Sequence, residues 1–127
     1  EMSNEAKQSI KLLVKTFEII ILSRPVFWFV ENPRGMMRKL PILDALKKHT
    51  VTYCQYGDSR MKPTDIWTNC NIWNPKPACK NGDSCHISSP RGSRSGTQGL
   101  KNAIERSKIP QKLCDEIVAS CEASIIN

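Results

Sequence analysis

Val26-Phe27-Trp28-Phe29-Val30 is an unbroken apolar run in which every residue is β-branched or aromatic. Such a run fits a strand covered on both faces, because neither side of its pleat offers a group to water. The preceding residues narrow the choice. Ser3 or Asn4 can cap a helix whose apolar residues, Ile10, Leu13, Val14, Phe17, Ile20 and Ile21, recur at the helical period until Ser23-Arg24-Pro25 stops it. Helix, short turn and buried strand make half of a βαβ unit. The pattern therefore predicts an α/β chain with a parallel sheet, the preceding strand lying before Glu1.

Met36 to Leu46 reads as one or two short helical pieces broken by Pro41. Thr50–Gln55 (TVTYCQ) and Thr64–Thr68 (TDIWT) read as strands, with a turn at Tyr56-Gly57-Asp58 between them. From Asn69 to Lys101 proline, glycine, serine and asparagine dominate, so regular structure should be scarce. A loop of that length in a compact domain is usually functional or partly disordered. Ile109 to Ala123 gives a second amphipathic helix, with Pro110 in its first turn. The 127 residues are one domain's worth, divided into helix and strands (1–68), an irregular basic loop (69–107) and a closing helix (108–127). No glycine-rich nucleotide loop follows an early strand, which makes the pattern look like the back half of something larger.

Nineteen basic against twelve acidic residues give a net charge of +7, which favours anionic partners and nucleic acid foremost. The cations cluster. Arg24, Arg34, Arg38 and Lys39 flank Glu31-Asn32-Pro33; Arg60 and Lys62 form a second group; Arg91, Arg94 and Lys101 form a third. No apolar stretch is long enough to span a bilayer and the N-terminus lacks a signal-peptide layout, so a cytoplasmic protein without membrane partners is expected. Six cysteines could pair in a secreted protein. Here Cys114 and Cys121 share a helical pattern with Leu113, Ile117 and Val118, as small core residues do, and Cys54 lies in a strand-like run.

Glu31 ends the apolar run. A carboxylate outside the carboxyl end of a sheet strand can accept from an exocyclic amine or, protonated, donate to a ring nitrogen, which suits a nucleobase edge. A plain strand end turned by proline is the bland alternative. Arg60 and Lys62, at i and i+2, fall on one face of an extended segment and could clamp a base carbonyl and a phosphate; a solvated strand edge would look the same.

Taken in order, ENPRG after an apolar strand, YGDSRMKPTDIWTN, and GTQGLKNAIERSKIPQKLCDEI resemble the C-terminal half of DNA cytosine-5 methyltransferases, above all phage and prophage forms. The resemblance implies a partial Rossmann-like methyltransferase sheet with flanking helices and a long irregular loop. It makes Glu31 the glutamate that holds a flipped cytosine, with Asn32 as its partner. Arg60 and Lys62 match the two arginines of a Gln-x-Arg-x-Arg motif whose glutamine is absent here. It implies double-stranded DNA as partner, contacted by Asn32, Arg34, Lys62, Arg91 and Arg94, and S-adenosylmethionine as cofactor of the complete enzyme. The family's Phe-x-Gly-x-Gly turn and Pro-Cys nucleophile do not occur in these residues. The chain is therefore expected to be inactive alone, as a fragment, a remnant, or one part of a split or homo-oligomeric enzyme.

Cys70, Cys79, Cys85 and His86 sit among tight turns and suit a zinc loop, with His49 as a remote further ligand; free thiols in a loop are the alternative. The adjacency of Cys85 and His86 makes joint ligation geometrically awkward. The stretch SSPRGSRSGTQGLK reads either as simple disorder or, through the resemblance, as a DNA-contacting loop that orders on binding. Trp67 and Trp73 could stack on bases, although aromatic residues near strands more often pack in cores. A stand-alone DNA-binding module, zinc-stabilised and without catalytic activity, is the competing function.

Overall fold

The computed structural model describes residues 1–89 and 102–126. Helix α1 (Asn4–Ser23) begins where Ser3 Oγ accepts from the amide of Ala6, and ends on Arg24, whose left-handed backbone (φ +49°) sends its N–H to Ile20 O. Strand β1 (Phe29–Pro33) follows. Two 3₁₀ turns, Met36–Lys39 and Pro41–Leu43, carry the chain to strand β2 (Lys48–Thr52). A third 3₁₀ turn, Tyr53–Tyr56, ends on Gly57 at φ +94°, a left-handed position that glycine takes without strain. Strand β3 (Pro63–Thr68) then runs between the other two. Helices α2 (Ala103–Ser107) and α3 (Gln111–Ile126) complete the described chain.

The fold is mixed α/β, with a three-stranded sheet in the order β1-β3-β2. The pairing differs from expectation. β1 and β2 each pair antiparallel with β3, opposing Glu31 to Ile66 on one side and His49 to Ile66 on the other. β1 and β2 do run in the same direction, as a crossover connection would leave them, but β3 occupies the place between them. The expected boundaries also shift. The apolar run enters the ladder only at Phe29, because the Asn69 side chain serves the backbone before it: Oδ1 accepts from Trp28 N–H at 2.9 Å and Nδ2 donates to Val26 O at 3.0 Å. At the other end, Glu31-Asn32-Pro33 belongs to the strand, which proline tolerates at a sheet edge.

Cover on both faces, expected of the apolar run, belongs instead to β3: β1 is an edge strand and only half-buried, and Val26 before it is exposed. Successive β3 residues point to opposite cores. Ile66 joins Val51, Tyr53, Tyr56, Cys70, Trp73 and Leu113, against which Phe29 and Ile117 pack. Trp67 joins Leu13 and Leu43, with Phe17 and Trp28 meeting edge to face at 5.6 Å alongside. Both tryptophans singled out in the sequence, Trp67 and Trp73, are thus core residues. Asp65 is buried on the Trp67 face and tolerable there because Arg38 grips both its oxygens, at 2.7 and 2.8 Å, while Thr50 Oγ1 donates to one of them. No helix among the described residues is long and apolar enough to cross a membrane.

Leu113→Ala, at a fully buried site between α3 and the sheet, is expected to cost about 2–5 kcal/mol. Leu12→Ala, on the exposed face of α1, should cost far less. Urea midpoints at unchanged m-value measure both.

Candidate functional site

The connection from β2 to β3 builds the site. Tyr53 N–H continues the ladder onto Met61 O at 2.8 Å, closing residues 53–61 into a compact turn. Tyr53 is fully buried, and its hydroxyl donates to Glu31 Oε1 across the sheet end at 3.2 Å. Burial first, and then the Glu31 charge, push that phenol well above its ordinary range, so it stays a donor. Glu31 is half-buried, and the Tyr53 hydroxyl is its sole hydrogen-bond partner among the described residues. The Lys62 ammonium lies 5.0 Å over the centroid of the same Tyr53 ring. The Tyr53 ring therefore carries the carboxylate at its hydroxyl and the ammonium over its face.

The Lys62 backbone is left-handed at φ +32°, a conformation that costs a side-chain-bearing residue about 1–2 kcal/mol. Its ammonium is held against that cost by a hydrogen bond to Arg106 O, a carbonyl at the end of α2. Burial, then Arg60, lower its pKa, with Glu31 and Asp58 opposing.

Arg60 is placed differently from a base-gripping cation. Only 4% exposed, it gives Nε and Nη2 to the Asp58 carboxylate and Nη1 to Arg106 O. Each of its guanidinium nitrogens is thus occupied within the protein. Arg60 and Lys62 converge on one carbonyl and so brace the turn against α2. Asn32 turns its amide onto Pro33 O, and Arg34 is exposed beside it, its backbone N–H on Pro63 O. Arg91 and Arg94 lie outside the described residues. The Arg38–Asp65–Thr50 clamp went unread in the sequence, where Arg38 counted only among the basic residues around the turn.

A second cluster forms on the other side of the same turn. Cys54, Cys79, Cys85 and His86 bring three sulfurs and a ring nitrogen within 4.8 Å of one another, a set that could hold a metal ion. Cys54 Sγ lies 3.2 Å from Cys79 and 3.6 Å from Cys85, and His86 Nδ1 lies 3.6 and 3.5 Å from those same two. Local chemistry delivers them. Asp83 Oδ2 accepts from Lys80 N–H and Asp83 N–H bonds Lys80 O, while Gly82 takes φ +94°, so the Asn81-Gly82 turn folds Cys85 back to Cys79. Thr52 Oγ1 accepts from Cys79 N–H at 3.0 Å, and Ile87 N–H bonds Ser59 O at 2.9 Å. Gln55 Nε2 donates to Cys85 Sγ at 3.4 Å. Burial pushes the Cys54 thiol up to about 12. At Cys79 burial is outweighed by hydrogen bonds from Thr52, Cys54 and Cys85, which draw its thiol down.

Three of the four expected ligands are thus together, and the fourth is corrected. Cys70 is fully buried in the Ile66 core, 3.9 Å from Ser124 on α3, and Cys54 takes its place. The awkwardness of adjacent Cys85 and His86 disappears because the nearer ring nitrogen, Nδ1, does the facing. His49 is remote from the cluster, with its ring edge-on to Trp73 at 5.0 Å. The six cysteines are free thiols.

Asp58 supplies a pH dependence. Burial raises its pKa, but hydrogen bonds from Arg60 outweigh this and hold the carboxyl below 3.8. Because the folded group ionises at lower pH than the unfolded one, its stabilisation is complete above 3.8 and drains as pH falls through the folded value. Urea titrations should show Asp58→Asn less stable at neutral pH and losing less stability on acidification below that point. Comparison with known protein families, curated proteins and solved structures finds no match to this chain.

Proposed function

We propose that this chain is the C-terminal portion of a DNA cytosine-5 methyltransferase and supplies the groups that hold the target base. The observation that carries the reading is Glu31, midway along β1 where the apolar residues give way to Asn32-Pro33, with one carboxylate oxygen engaged by Tyr53 and Lys62 alongside. A cytosine turned out of the duplex presents a ring nitrogen and an exocyclic amine on one edge. The Glu31 carboxyl answers both, donating to the nitrogen when protonated and accepting from the amine. The Tyr53 hydrogen bond fixes its orientation, and positioned groups of this kind stabilise charge as it develops on the ring. Arg60 acts behind the site, locking the turn through Asp58 and Arg106. Exposed Arg34, with Arg91 and Arg94, is the phosphate-contacting set.

The three strands would then be one flank of a larger Rossmann-like sheet. Support comes from α1, which leaves Leu12, Ile19, Ile21 and Leu22 more than half exposed, an apolar surface suited to an upstream part of the same enzyme. S-adenosylmethionine belongs to that part: these residues contain no Phe-x-Gly-x-Gly turn and no Pro-Cys nucleophile. No step through the cofactor is assigned to this chain, which is inactive by itself.

The second reading is a stand-alone DNA-binding module stabilised by zinc, favoured by the cysteine and histidine cluster. Two measurements separate them. In the complete enzyme, Glu31→Ala should lower methyl transfer about 10²–10³-fold, with the thermal midpoint nearly unchanged; near-normal turnover removes the first reading. DNA affinity of this chain that survives Glu31→Ala and falls on chelation supports the second.

A further inference from the structure

The donor atoms of the second cluster already stand at the corners a tetrahedral ion requires. Zinc–sulfur bonds of about 2.3 Å and a zinc–nitrogen bond of about 2.0–2.1 Å, at tetrahedral angles, separate two sulfurs by about 3.8 Å and a sulfur from the nitrogen by about 3.5 Å. The two sulfur–nitrogen edges here are 3.5 and 3.6 Å, and two sulfur–sulfur edges are 3.2 and 3.6 Å. Of these four edges Cys54–Cys79 departs most and has to open by about half an ångström, while the other two, Cys54 to His86 and Cys79 to Cys85, lie within 4.8 Å. The donor chemistry selects the ion as well. Calcium and magnesium take oxygen, iron–sulfur clusters take thiolates throughout as a rule, and three thiolates with one imidazole are a common zinc set.

We propose that Cys54, Cys79, Cys85 and His86, the last through Nδ1, bind a single zinc ion in a closed structural centre that fastens residues 69–89 to the turn after β2. Four protein donors leave no position for a water or substrate, so the centre is structural, not catalytic. Its effect follows from the surrounding chain. Residues 69–89 contain no helix or strand, and their other ties to the 53–59 turn include hydrogen bonds from Lys76 N–H to Tyr56 OH, from Lys76 Nζ to Gln55 O, from Gln55 Nε2 to Cys85 Sγ and from Ile87 N–H to Ser59 O. One ion joining Cys54 to Cys79, Cys85 and His86 closes that long connection at three points. Gln55 Nε2, already donating to Cys85 Sγ, becomes a hydrogen bond to a metal-bound thiolate. Binding converts three thiols to thiolates and releases their protons to solvent, so loading weakens as pH falls.

This deepens the zinc part of the second reading and is independent of the first; its readout is metal, so it can fail while the methyltransferase reading stands, and the reverse. The full chain, purified under reducing conditions, should carry one zinc by elemental analysis. Cobalt(II) in its place should give thiolate charge-transfer and tetrahedral d–d bands. Cys54→Ser and His86→Ala should each lose most of the zinc, while Cys114→Ser, outside the cluster, keeps it. Chelation should lower the thermal midpoint of the parent chain and leave that of Cys54→Ser unmoved. X-ray absorption on the unmutated chain, showing three sulfurs and one nitrogen, decides the ligand set even where a variant does not fold. A folded parent chain with no zinc above trace, iron in its place, a four-sulfur shell, or a Cys54–Cys79 disulfide without metal would each overturn the proposal.

Discussion

Strand β3 is buried from Thr64 to Thr68, on both faces and along both edges, and the molecule is arranged around what that burial demands. A strand so enclosed can satisfy its backbone only through neighbours, and β1 and β2 provide those ladders. Its side chains must fill two cores at once. Ile66 draws in α3 and the 53–56 turn, while Trp67 draws in α1 and the 3₁₀ turns after β1. Asp65 is the charged residue of that buried stretch, beside the polar Thr64 and Thr68. An unpaired carboxylate there would carry a desolvation cost of several kcal/mol, which Arg38 and Thr50 offset with three hydrogen bonds.

The same strand dictates where chemistry can occur. Its entry at Pro63 lies beside the end of β1, so Glu31 and the cations just before β3 meet at one rim of the sheet. The turn that delivers them is only as rigid as its internal ties, and those are dense: Tyr53 to Met61 along the backbone, Arg60 to Asp58, and both basic residues to Arg106 O. Two cations spent in this way are not free to grip phosphates. They brace the turn that carries Tyr53 against α2, while Arg34 is exposed.

Much of this was legible in the residues, and the failures are instructive. Helix α1, its Ser3 cap and its stop at Arg24-Pro25 were readable because caps and period are local properties. So were the two short turns separated at Pro41 and the start of α3 just after Pro110. Strand direction was not. Nothing in Val26–Val30 says that the run forms an edge strand or which neighbour it meets, and here the neighbour is supplied from more than thirty residues away. The metal cluster shows the same limit. Cys79, Cys85 and His86 advertise themselves by spacing within one set of turns, but the fourth donor depends on where β2 ends. Read as mid-strand, Cys54 belongs to the sheet; because the ladder hands over to a 3₁₀ turn after Thr52, its sulfur faces Cys79 instead. Cys70, three residues from the buried Trp73, goes into the core with it.

Tyr53 and Cys54 are neighbours in a 3₁₀ turn, where successive side chains point about 120° apart. One serves Glu31, the other the cysteine and histidine cluster, so neither site can move without disturbing the other. The ties on either side of residues 90–101 lead back to the same place. Ile87 is bonded to Ser59, and Arg106 accepts from both Arg60 and Lys62. Described residues before and after positions 90–101 are thus tied to one short stretch, 59–62.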